Sequence, residues 1–123
     1  MLLGNFYTIS SVQKENNSIN AMLELNTTHR IFEGHFPGQP VVPGACLLQM
    51  VKEIMQTVTP NNIRLIKAHQ LKFISPINPS ANNDLRFALT YNISANDEIT
   101  VSATLLNNTV ACFKFSGVFQ SGK

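Results

Sequence analysis

The sequence predicts an α+β domain in which an antiparallel sheet of about six strands wraps around one central helix. Three observations carry this expectation. Only one long stretch repeats its apolar residues at spacings of three and four. Six other stretches alternate with a period of two. The last three of these are joined by very short polar turns, so they should form a meander.

The elements follow in order. Residues Phe6 to Val12 alternate loosely and read as a strand, and Gln13 to Asn17 read as a polar turn. In Ser18 to Leu25, residues Ile19, Ala21, Leu23 and Leu25 fall on one face, giving a second strand and a hairpin. A breaker-rich segment runs from Gly34 to Gly44, with Pro37, Gly38, Pro40 and Pro43 inside it. Prolines at this density forbid a regular ladder and force one stiff path. Stiff loops cost little entropy to hold, which suits them to carrying catalytic groups.

The pattern then becomes helical. Leu47, Val51, Ile54 and Val58 form a stripe that Met50 and Met55 widen. Pro43 suits the helix start, where a missing N–H is no loss, and Thr59-Pro60-Asn61-Asn62 stops the helix. The safer reading of the stripe is core, although it could also line an acyl tunnel. Ile63 to Ile74 is a long strand with Leu65, Leu71 and Phe73 on one parity, followed by a loop from Pro76 to Asp84. Leu85 to Ile93, Ile99 to Leu105 and Thr109 to Phe119 complete the sheet.

Composition narrows the function classes. The 123 residues fit one domain spanning 1–123. Only 13% are charged, against 44% hydrophobic, so little polar cover is available and a homo-oligomer is expected. The net charge of +2 is scattered, with no basic run, which argues against nucleic-acid binding. No apolar run approaches the roughly 20 residues of a membrane span. The first residues do not read as a signal peptide, so a cytoplasmic location is expected. Cys46 and Cys112 have no metal-ligand spacing, and no metal is expected.

Three histidines are present. His29 precedes the stiff loop. His69 lies mid-strand and reads as structural or solvent-facing. His35 sits within the stiff loop that leads into the helix. It reads equally as a hydrogen-bonding turn residue or as a general base. At the helix start, Gly44 and Ala45 have N–H groups without helical acceptors, at the positive end of the dipole. A thioester carbonyl could rest there; alternatively, the small residues only permit close packing. Gln49 is an amide on a mostly apolar helix, either a packing anchor or a site residue. Glu53, one turn further, reads as the point where the helix rises toward solvent.

The segment Phe32-Glu33-Gly34-His35-Phe36-Pro37-Gly38-Gln39-Pro40-Val41-Val42-Pro43-Gly44 resembles the signature of 3-hydroxyacyl-acyl-carrier-protein dehydratases. Leu71-Lys72-Phe73-Ile74-Ser75-Pro76 resembles that family's later strand and loop. The resemblance implies a hot-dog fold, a dimer or larger oligomer with sites at the interface, and no cofactor. It implies a substrate held as a thioester on the phosphopantetheine of acyl carrier protein. The implied reaction removes water from the 3-hydroxyacyl group to give the trans-2-enoyl product, as in fatty-acid or polyene-type synthesis. His35 matches the catalytic histidine, the Gly44 N–H matches the donor to the thioester carbonyl, and Ala45 and Phe36 fall in the binding region.

One position departs from the pattern. The family carries a glutamate or aspartate fourteen residues after the histidine, where this chain has Gln49. An amide can hold a hydroxyl or water but has no proton to give at neutral pH. Three readings follow: His35 performs both proton transfers; Glu53 or another acid substitutes; or the chain is a catalytically weak subunit that binds acyl chains or pairs with an active homologue. A thioesterase is a further alternative, since an amide on the central helix can place a water.

Overall fold

The computed structural model describes residues 2–32, 42–59, 61–78 and 84–122. Strand β1 (Tyr7–Glu15) turns into β2 (Ser18–Leu25), helix α1 spans Gly44–Met55, and β3 (Ile63–Phe73), β4 (Leu85–Ile93), β5 (Glu98–Asn107) and β6 (Val110–Ser121) follow. The six strands form one sheet in the order β1-β2-β4-β5-β6-β3, every neighbouring pair antiparallel. With a single long helix against it, this is the α+β hot-dog fold.

Period-two alternation explains which strand residues are buried. Ile19, Ala21 and Leu23 of β2, Leu85, Phe87 and Leu89 of β4, and Ile99, Val101, Ala103 and Leu105 of β5 all enter the core. Helix α1 contributes Leu47, Met50, Val51, Ile54 and Met55 to the same cluster. Asn16, Asp97 and Asn108 take positive φ values of 52°, 61° and 58° in the turns, a conformation that short polar side chains tolerate best.

Two boundaries differ from the sequence reading by three residues. β1 continues to Glu15, through residues whose polarity predicts a turn. They pair with β2 down to Glu15↔Ser18 and keep their side chains in solvent. The helix ends at Met55, before Val58. The Thr57 and Thr59 hydroxyls donate to the carbonyls of Ile54 and Met55, and Gln56 accepts the Ile63 N–H, turning the chain toward β3.

β3 crosses to the far side of the meander and pairs with β6 through two register shifts. It is an outer strand, and Ile66, Leu71 and Phe73 leave much of their apolar surface exposed, as does Ile74 just beyond it. Among the described residues, no helix is long and apolar enough to cross a membrane.

Candidate functional site

The start of α1 is set by the chain on both sides of it. Val42 is buried and donates its N–H to the Ile77 carbonyl at 3.0 Å, tying the helix entry to the segment after β3. Pro43 caps the helix in an extended conformation without a side-chain cap, and its carbonyl accepts from Cys46 and Leu47. The N–H groups of Gly44 and Ala45 have no acceptor among the described residues. Ala45 is exposed and Gly44 half-buried. The Phe73 ring lies against Gly44, where a β-carbon would stand 2.6 Å from Cζ. Close packing of a small residue is therefore present at the helix start, alongside two donors unpaired among the described residues.

One turn into the helix, Gln49 is half-buried and donates from Nε2 to Glu53 Oε2 at 2.9 Å. Glu53 is 4% exposed, which corrects the expectation that it rises to solvent. The N-terminal segment folds back over it. The Leu2 and Leu3 N–H groups donate to its two oxygens at 2.8 Å each, and the Tyr7 hydroxyl donates at 3.1 Å. Burial works to raise the Glu53 pKa. The donors from Leu2, Gln49, Leu3 and Tyr7 outweigh that effect and hold the carboxyl below its ordinary value. A carboxylate stabilised in this way is a poor proton donor at neutral pH. Tyr7 shows the reciprocal effect: burial first, then the adjacent carboxylate, pushes its phenol far above the usual range and keeps it protonated.

The histidines separate by environment. His29 accepts the Ile31 N–H at Nδ1 and meets Phe6 edge-on at 5.4 Å, so it is a local structural residue. His69 is exposed on β3. His35 and Phe36, the other two site residues read from the sequence, lie outside the described residues. Gly44, Ala45 and Gln49 share the first part of α1. Cys46 and Cys112 are free and buried, and burial pushes both thiols up, which leaves them weak nucleophiles. Among the described residues, no group of three or more histidine, cysteine, aspartate or glutamate side chains could hold a metal ion.

Sequence reasoning missed the Glu53 cluster. The four-residue spacing of Gln49 and Glu53 was visible, and it places them on one helix face. Nothing local announces that residues about fifty positions earlier return to bury the carboxylate.

The single helix against a six-stranded antiparallel sheet defines a hot-dog protein. The chain belongs to the ApeI-like family, described as ApeI dehydratase, whose sequence pattern matches residues 11–115. That family is the sharper assignment, where the sequence reading pointed to 3-hydroxyacyl-acyl-carrier-protein dehydratases at large. The activity named in the family's description is that of a dehydratase.

Over 59 residues the chain is 32% identical to the 3-hydroxyacyl-[acyl-carrier-protein] dehydratase FabZ of Haemophilus influenzae. That stretch is 48% of this chain and spans only 36% of the relative. Among solved structures, the dehydratase heterocomplex ApeI:P from Xenorhabdus doucetiae matches with a TM-score of 0.68 at 20% identity, covering 91% of this chain and 96% of that one. An uncharacterised protein from Erwinia carotovora matches with a TM-score of 0.61 at 27% identity, covering 89% and 88%.

Proposed function

We propose that this chain is a dehydratase-like subunit that binds a 3-hydroxyacyl thioester and works paired with a homologous subunit bearing the missing acid. The observation that carries this reading is the Gln49 amide, fixed by Glu53 on the helix that opens with the free Gly44 and Ala45 donors. An amide holds a leaving hydroxyl but supplies it no proton. Loss of a general acid typically costs about 10²- to 10⁴-fold in rate. A neighbouring subunit with a carboxylic acid at the equivalent helical position would restore that step. One solved relative of this fold is itself a dehydratase heterocomplex, which supports a paired arrangement.

In this reading the acyl chain arrives on the phosphopantetheine of acyl carrier protein. Its carbonyl rests on the Gly44 and Ala45 N–H groups, where the helix dipole favours developing negative charge. The resemblance assigns Phe36 to substrate binding. The half-exposed apolar residues of β3 provide the surface for pairing with a second copy or a homologue.

The test compares the chain alone, a homologous dehydratase subunit alone, and the mixture. Each is offered a 3-hydroxyacyl carrier protein, with enoyl product as the readout. The mixture should exceed the sum of the parts, and the two chains should elute together. Equal turnover by the chain alone would refute the paired reading.

A second reading is favoured by the sequence motif from Gly34 to Gly44. Here the chain itself dehydrates the substrate, with His35 as base and acid in turn and Gln49 positioning the hydroxyl. Turnover by the chain alone, lost in His35→Ala, supports it. Release of free thiol without enoyl product would instead point to thioester hydrolysis.

A further inference from the structure

We infer that Glu53 is a positioning residue that locks the Gln49 amide with its NH2 group turned inward, so that Gln49 meets its ligand as a hydrogen-bond acceptor through Oε1. The inference deepens the reading above and rests on its claim that position 49 faces the substrate. A free glutamine amide can present either end, since its oxygen and nitrogen are nearly isosteric. Gln49 does not have that freedom. Its Nε2 donates to a carboxylate at 2.9 Å, and the flipped amide would set Oε1 against that same negative oxygen.

The carboxylate is itself immobile. It is buried, and its two oxygens take four donors from three parts of the chain: Leu2, Leu3, Tyr7 and Gln49. No donor to Oε1 of Gln49 is present among the described residues. The group that binds there must bring its own hydrogen. A hydroxyl or a water fits, whereas a carbonyl or another pure acceptor does not. A 3-hydroxyacyl chain carries such a donor at its third carbon. The enoyl product does not, so Gln49 distinguishes the hydrated from the dehydrated chain.

The test follows the Gln49 side-chain NH2 signals in protein labelled with ¹⁵N-glutamine, with Gln49→Asn for assignment. The probe is a 3-hydroxyacyl thioester of N-acetylcysteamine, compared with the matching 2-enoyl thioester. The Gln49 signals should titrate in acid with the Glu53 carboxyl. The midpoint should rise in Tyr7→Phe, which removes one donor from Glu53 without touching position 49. The 3-hydroxyacyl probe should move the Gln49 signals and bind about tenfold or more tightly than the enoyl probe, a preference that Gln49→Leu should abolish.

If the hydroxyacyl probe moves the signals but they ignore acid and Tyr7→Phe, Glu53 does not position the amide and the inference fails while the site reading stands. If neither probe moves them, position 49 does not face substrate and the parent reading fails. Equal binding of the two probes overturns the acceptor role. The exchange Gln49→Glu with Glu53→Gln gives a further check on the pH profile. Gln49→Glu alone sets two carboxyls together, so one keeps its proton to higher pH. The double exchange restores a carboxyl–amide pair and should bring the acid limb back down.

Discussion

The Phe73 ring covers the Cα of Gly44, close enough that the first atom of any side chain there would overlap its Cζ and Cε1. Phe73 is 55% exposed and stacks on Phe113 with centroids 5.3 Å apart. The helix start and the end of β3 are thus fitted to each other through one small residue and one large one.

The first prediction follows from that fit. Gly44→Val should destabilise the fold by about 1–3 kcal/mol, the usual range for overpacking a tight contact. Phe73→Ala should recover much of the loss in the double variant, because the overlapping atoms belong to the far end of that ring. Denaturant melts of the four proteins in the cycle measure the coupling. Independent, additive effects would contradict the contact.

Acid stability should carry the mark of Glu53. Its folded pKa lies below the unfolded value, so its contribution is present above about pH 4.5 and is lost as pH falls through the folded pKa. Unfolding free energy measured against pH should drop across that acid window. Glu53→Gln should flatten the drop while lowering stability at neutral pH. Glu53→Ala should cost more, about 3–5 kcal/mol, because the Leu2, Leu3 and Tyr7 donors are left without an acceptor.

Tyr7 predicts the opposite limb. Its folded pKa is raised above the ordinary 10.0, so its contribution is whole below that pH and is lost as pH rises further. Tyr7→Phe should remove this alkaline sensitivity and cost about 2 kcal/mol at neutral pH, in line with a hydrogen bond to a charged group. Thermal melts at neutral and alkaline pH would compare the two proteins.

The β3 surface predicts association. Leu71 and Ile74 are 45% and 43% exposed, on and just after an outer strand. Leu71→Lys with Ile74→Asp should lower the protein's sedimentation coefficient relative to the unsubstituted chain while leaving the far-ultraviolet dichroism of the sheet intact. An unchanged coefficient would contradict association through β3.

Most of the fold was legible because it rests on local periodicity. The faces of β2, β4 and β5 follow from alternation, and the helix stripe from spacings of three and four. The helix end was misread because side chains, chiefly Gln56, Thr57 and Thr59, replaced the helical pattern before Val58. At the site, Gly44, Ala45 and Gln49 fell together as one helix dictates. Glu53 did not, because a lone charge reads as solvent-facing until its donors are known, and three of them come from the first seven residues.

The place of β3 in the sheet bears on the order of assembly. It ends at Phe73, whereas its pairing strand β6 begins only at Val110, beyond the β4–β5 hairpin. A ribosome therefore releases β3 well before its partner exists. During that interval Ile66, Leu71 and Phe73 have no ladder to join, and collapsed chains at this stage are the ones most prone to stick to each other. Refolding yield should therefore fall steeply with protein concentration, and slow dilution should recover it.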